Sequence, residues 1–263
     1  AAWKPDGTAI ALAGSTETRC AKGASLPILD ALTGETLLEL DQKSSISNLC
    51  WSPDGRWLAA DRSNHSPADV DLWDLQAKKK VRPVEQMRSW IEWSNSNTLV
   101  GRRSFGWGFG TRIKMWDRTE GTLRSLAWIN KGGHLLSYLG CSVHPRQKLL
   151  AIVRQPNITL GEKTEILEFW ELDRIQPDHI RFDVHTEETG SNSVAWDPGS
   201  ERFASGGQDG SIEIRSLKPG VEKKIFEASK EPISHLVWNP SGGPIVAIDA
   251  KKGLTAWDPS TLK

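Results

Sequence analysis

CWSPDG at Cys50–Gly55 and DLWDLQ at Asp71–Gln76 are the two halves of one unit, and the chain repeats both. Pro53 and Gly55 break a strand ladder and turn the chain. Ile46, Leu49 and Trp51 therefore belong to one strand, Ser52 to Gly55 form the turn, and Trp57 to Ala60 start the next strand. In the second half, Val70, Leu72 and Leu75 carry the near-alternating apolar pattern of a third strand. Copies of the first half stand at AWKPDG (2–7), EWSNSN (92–97), SVHPRQ (142–147), AWDPGS (195–200) and VWNPSG (237–242). The second half recurs as PILDAL (27–32), KMWDRT (114–119), EFWELD (168–173), EIRSLK (213–218) and TAWDPS (255–260).

Counted at Trp3, Trp51, Trp93, Val143, Trp196 and Trp238, the units lie 48, 42, 50, 53 and 42 residues apart. A period near ~40–45 residues marks supersecondary units that cannot bury their apolar faces alone and must pack side by side. Four pairs, Trp73-Asp74, Trp116-Asp117, Trp170-Glu171 and Trp257-Asp258, fall in register with the first half. With both signatures in step, the chain resembles a WD-repeat β-propeller over essentially its whole length.

That resemblance implies an all-β fold, one propeller over residues 1–263 with six recognisable four-stranded blades. Outer strands are expected at Thr36 to Leu40, Val81 to Val84, Leu123 to Ile129, Ile180 to Val184 and Lys224 to Glu227. The sixth unit has no outer strand after it, so the chain reads as an excerpt, incomplete at both ends, of a longer protein with further blades or domains.

Of 13 tryptophans, Trp3, Trp51, Trp93, Trp196 and Trp238 sit in the first signature and Trp73, Trp116, Trp170 and Trp257 in the second. Their positional recurrence makes them core between blades. Trp57, Trp90, Trp107 and Trp128 fall outside the pattern and are the candidates for surface recognition. Family members pin each blade with a hydrogen-bonded Asp, His, Ser or Thr, and Trp set. Unit five comes nearest with Ser205, Asp209 and His185, but Arg215 holds the Trp place, so a degenerate propeller is expected. Asp209 and Gly210 both tolerate positive φ and predict a two-residue hairpin.

Lys plus Arg and Asp plus Glu number 33 each, so no global field draws the chain to nucleic acid or an anionic membrane. No apolar stretch approaches the ~20 residues of a membrane span. Cys20, Cys50 and Cys141 lack the spacing of zinc or redox motifs and read as neutral free thiols. Such thiols suit a reducing, cytoplasmic setting.

The distance from the first-signature position to the second isolates one hairpin loop. It is 26, 22, 23 and 27 residues in units one to four and 19 in units five and six. Units one to four are thus expected to raise long loops over one face. The third loop, GRRSFGWGFGTR at 101–112, sets Phe105, Trp107 and Phe109 among glycines and flanks them with Arg102, Arg103 and Arg112. Aromatic and Arg side chains dominate binding hot spots because they bury much area with few rotatable bonds and pair with carboxylates. These six residues are the candidate binding set. Lys78, Lys79 and Lys80 read as a solvated turn, and His65 and His134 as lone solvated histidines.

No Gly-x-Ser-x-Gly elbow, His-Glu-x-x-His or phosphate-cradling loop occurs. The expectation is a non-catalytic scaffold, with no metal or cofactor, that presents a loop face to a protein or peptide. A propeller enzyme, or an enzyme's accessory propeller, would collect ligands from separate blades that no local motif reveals. A periplasmic Tol-type propeller shares the WSPDG turn, but its third strands normally lack Trp-Asp endings.

Overall fold

The computed structural model describes residues 1–13, 25–41, 46–62, 69–87, 90–104, 111–129, 138–154, 166–172, 180–183, 191–199, 201–218, 220–221, 223–239, 242–251 and 253–261. Every regular element among them is a β-strand, and the chain divides into two compact units, Ala1–Gly133 and His134–Lys263.

The first unit holds three antiparallel four-stranded sheets, each in sequence order. Blade one comprises β1 (Ala2–Trp3), β2 (Ala9–Ala11), β3 (Ser25–Asp30) and β4 (Thr36–Asp41). Blade two comprises β5 (Ile46–Trp51), β6 (Trp57–Arg62), β7 (Asp69–Asp74) and β8 (Lys79–Glu85). Blade three comprises β9 (Ile91–Asn95), β10 (Thr98–Ser104), β11 (Thr111–Asp117) and β12 (Leu123–Ile129).

The second unit opens with blade four, β13 (Tyr138–Val143), β14 (Leu149–Arg154), β15 (Ile166–Glu171) and β16 (Ile180–Asp183). Blade five follows as β17 (Ser191–Trp196), β18 (Arg202–Gly207), β19 (Ser211–Ser216) and β20 (Lys224–Glu227). The last sheet has three strands among the described residues, β21 (Ile233–Trp238), β22 (Ile245–Asp249) and β23 (Leu254–Trp257). All five expected outer strands form, at β4, β8, β12, β16 and β20.

Both faces of an inner blade are covered, which explains the composition of its strands. On β6, Leu58 and Ala60 pack toward blade one with Trp51, Trp73, Leu26 and Leu40. Trp57 and Ala59 point the other way, into a core with Val70, Leu72, Ile91, Trp93 and Leu99. Trp57 is therefore corrected from a surface candidate to a core residue, 6% exposed. Strand alternation swings it to the face opposite Leu58, and that face meets another sheet rather than water.

The first-signature tryptophans also bind blade to blade by a repeated hydrogen bond. Trp51 Nε1 donates to the Ala2 carbonyl at 3.0 Å, Trp93 to Cys50 at 3.3 Å and Trp196 to Ser142 at 3.0 Å. The acceptor is always the residue before the equivalent position in the preceding blade. Trp238 is buried but its Nε1 has no partner, and Val143 has no indole to donate. Trp3, expected as core, is 60% exposed. The two-residue β1 seats Ala2 against blade two's core and leaves Trp3 on the opposite face.

The Asp that ends each Trp-Asp pair caps the turn into the outer strand. Asp74 accepts from the backbone N–H groups of Gln76 and Ala77, both at 3.1 Å, and Asp117 from Thr119 and Glu120. Asp258 does the same for Ser260 and Thr261, and Asp30 for Leu32 and Thr33. Each aspartate is held below the usual carboxylate range, Asp74 chiefly by Arg56, Asp117 by Thr119, Asp258 by Ser260 and Asp30 by the Thr33 N–H.

The turn at Asp209-Gly210 differs from the expected two-residue form. Three residues, Gln208 to Gly210, join β18 to β19, and Gly210 alone has positive φ, at 80°. Asp209 instead accepts from the Ser211 N–H at 3.0 Å. A type I turn closed by a left-handed glycine is the usual three-residue hairpin. A Cβ at Gly210 would stand 1.9 Å from the Ser229 carbonyl oxygen, so only glycine fits there.

Candidate functional site

Arg102 and Arg103, expected in the third loop, lie in strand β10, and Arg112 lies in strand β11, because the ladder between these strands runs further than the spacing suggested. β10 pairs with β9 only through Gly101, opposite Ile91, while its pairing with β11 runs on to Ser104, opposite Thr111. The hairpin therefore overhangs the inner strand by the residues Arg102, Arg103 and Ser104. Arg103 and Arg112 occupy directly opposite register positions, and Arg102 faces Ile113 in the ladder. Phe105, Trp107 and Phe109 lie outside the described residues, as do the other loops of the expected crescent, 14–24, 63–68 and 155–165. His65, His134, His185 and Cys20 fall outside them too.

Next to that hairpin strand, Lys114 is buried and its Nζ donates to Gln86 Oε1 at 2.7 Å. The position two residues before the Trp place is polar and buried in four successive blades, as Asp71, Lys114, Glu168 and Glu213. Sequence reasoning passed over this series, although DVDLWD, IKMWD, ILEFWE and SIEIRS show it once aligned on the Trp place. In blade two Asp71 accepts from Lys80 at 2.7 Å, and the Lys80 ammonium lies 5.2 Å from the Trp73 ring centre. Lys79 and Lys80 lie in β8 rather than in a turn, and all three lysines are exposed, but the Lys80 ammonium also pairs with Asp71.

In blade five Glu213 meets Arg215 at 2.8 Å and Lys223 at 3.2 Å. Desolvation works against its charge, but the two cations outweigh it and hold the carboxyl below its ordinary value. In blade four Glu168 accepts from its own Trp170 Nε1 at 3.2 Å. These groups are engaged with side chains of their own blades.

The remaining sequence candidates divide cleanly. Trp51, Trp73, Trp170, Trp196 and Trp238 are buried, while Trp116 and Trp257 are half-buried against cores that they help close. Cys50 and Cys141 are half-buried thiols, and desolvation, followed by Glu92 and Asp61, raises the Cys50 thiol well above its ordinary value. Among the described residues no three His, Cys, Asp or Glu side chains gather as a metal site.

The family model described as "WD domain, G-beta repeat" matches residues 34–65 and 179–215. Both matches start at an outer strand, β4 and β16, and run into the next sheet, so sequence repeat and blade are offset by one strand. No curated protein sequence matches the chain. Among solved structures, Kuenenia stuttgartiensis hydrazine synthase is similar with a TM-score of 0.71 and 16% identity, over 98% of this chain and 75% of that one. At that identity the likeness concerns the fold alone.

Proposed function

We propose that this chain, which matches a WD-repeat model over residues 34–65 and 179–215 and folds into antiparallel sheets in sequence order, is a non-catalytic scaffold whose β10–β11 hairpin grips a protein or peptide partner. WD40 repeats commonly serve protein interaction, which supports the general class. The observation that carries the finer reading is the register of the hairpin. Arg103 and Arg112 occupy opposite register positions where β10 and β11 continue past the last β9 pair, on either side of a sequence that bears Phe105, Trp107 and Phe109. A partner with an apolar patch rimmed by carboxylates suits both the arginines and the rings. Binding of this kind weakens with salt, through screening of the exposed rim charges, yet survives in part through the apolar contact.

Changing Phe105, Trp107 and Phe109 together to Ser is expected to abolish capture of partners from a cell lysate while leaving the melting temperature unchanged. The control changes Lys78 and Lys79, beyond the opposite end of the third strand in blade two, and leaves Lys80 in place because it pairs with Asp71. Loss of partners in the control, with capture retained in the aromatic variant, would reverse the assignment.

A further inference from the structure

The turn between the first two strands is closed in the same way in five of the sheets. The residue after the first-signature position donates its backbone N–H to a carbonyl five residues on, as in Lys4 to Ala9, Ser52 to Trp57, His144 to Leu149, Asp197 to Arg202 and Asn239 to Pro244. In blades two and five its side chain also accepts from the turn, Ser52 Oγ from the Trp57 N–H and Asp197 Oδ1 from the Gly199 N–H, both at 2.9 Å. In blade four that acceptor is a ring nitrogen. His144 Nδ1 takes the Arg146 N–H at 3.1 Å and the Gln147 N–H at 2.8 Å.

A backbone N–H only donates, so these two bonds assign Nδ1 as an acceptor and put the proton of the neutral ring on Nε2. A second proton would have to enter at Nδ1, turning the acceptor into a donor aimed at two donors. The ring is fully buried, so the cation would also forfeit its hydration. Of the charged groups on the surrounding strands and turns, Arg146 and Lys148 repel a cation. Asp197 is already paired with Arg202 at 2.8 Å, and Glu171, opposite Leu149 in the ladder, is exposed.

The neutral ring holds more than its own turn. Its edge meets Trp196 of blade five, ring centres 4.6 Å apart at 65°, and Trp196 donates to the carbonyl of Ser142, two residues before His144. Trp196 also contacts Phe169 and Phe203, within the core shared by blades four and five. Pro145 to Lys148 are exposed, so the turn opens without dismantling either sheet.

We propose that His144 is a pH-operated latch on the contact between blades four and five. Neutral, it closes its turn and packs on Trp196; protonated, it releases the turn and gives up the Trp196 contact. Histidine changes charge between about pH 5 and 8, whereas the serine and aspartate at the equivalent positions keep theirs over that span. Because the proton is accepted only once the turn has opened, the latch is fully closed above the ordinary histidine pKa of about 6.5 and loosens as pH falls below it.

The test follows the isotopically labelled full chain by NMR from about pH 8 to 5, the span over which a histidine titrates. Amide exchange at Arg146 and Gln147, corrected for its intrinsic pH dependence, should quicken by about tenfold per pH unit below about 6.5, the response of an opening coupled to one proton. The Trp196 indole N–H resonance, identified by its loss in Trp196→Phe, should shift in step. His144→Asn keeps an acceptor for the turn and has no charge to change, so both responses should vanish. His144→Ser, which copies the Ser52 arrangement, serves if the Asn variant folds poorly. The ring nitrogen shifts of His144 give a reading that needs no variant, the Nε2–H tautomer at the alkaline end and the cation at the acid end. The proposal fails if His144 stays neutral throughout, or if it becomes cationic while the turn amides and Trp196 do not respond. It fails equally if both variants loosen with acid as the parent does.

Discussion

In blade two the third strand reads DVDLWD, and Trp73 is buried beneath the Lys80 ammonium that pairs with Asp71. In blade five it reads SIEIRS, and Arg215 stands at the tryptophan place, paired with the buried Glu213 beside Lys223. The tryptophan is exchanged for a cation, yet the buried carboxylate two residues earlier and a cation from the outer-strand side are kept. What the two blades share is a buried third-strand carboxylate paired with a lysine in or just before the fourth strand, with the aromatic ring as one way of covering it. A buried carboxylate needs such a partner, since without one its desolvation is uncompensated. Blade five substitutes charge for area, and also relies on Gly210, whose missing Cβ lets the Ser229 backbone close over the turn.

The contrast can be broken first at the Trp place itself. Trp73→Ala should cost about 3–5 kcal/mol by leaving a large cavity. Arg215→Ala should cost less, about 1–3 kcal/mol, because Lys223 stays beside Glu213. Denaturant midpoints of the two variants, with hydrogen exchange to localise the loss, measure the difference. Equal losses would mean that the ring contributes no more than the ion pair does.

Acid sharpens the comparison by acting on the carboxylates that both blades use. Asp74 and Glu213 titrate below their ordinary values in the folded chain. The stability they confer is therefore complete above the unfolded carboxylate pKa of about 4, and it is lost as pH falls through the lower folded values. In the His144→Asn chain, freed of that histidine's response to acid, the melting temperature should be level from about pH 6 to 5 and fall below about 4. Glu213→Gln and Asp74→Asn should each flatten that fall, and an unchanged slope in both would assign the acid sensitivity elsewhere.

The smallest effect is expected at Trp3, which shares its sequence signature with Trp51 but not its surroundings. Trp3→Ala should cost under about 0.5 kcal/mol, as a surface change does, while Trp51→Ala costs several times more. Thermal melts of the two single variants decide it, and comparable losses would show that Trp3 is covered in solution.

The strand inventory was legible because apolar alternation and Pro-Gly turns are local properties, and the five outer strands formed where composition put them. Trp57 was misread because periodicity reports that a residue sits on a strand, not whether its second face is roofed by another sheet. Lys80 was misread because a run of three lysines looks solvated until the start of β8 assigns one of them to Asp71. The Asp209-Gly210 turn was placed correctly but given the wrong loop length, since both turn types draw on the same residues.

By itself, then, the sequence determined the repeat, the all-β blades and the Trp-Asp register. Those follow from side-chain periodicity and backbone preference, which act over a few residues. Only the tertiary structure decided which tryptophans are core, which charges are paired, and that Arg103 stands opposite Arg112 in the ladder. Each of these depends on what a neighbouring strand or blade brings from tens of residues away, and packing between blades is set by volumes that no single repeat contains.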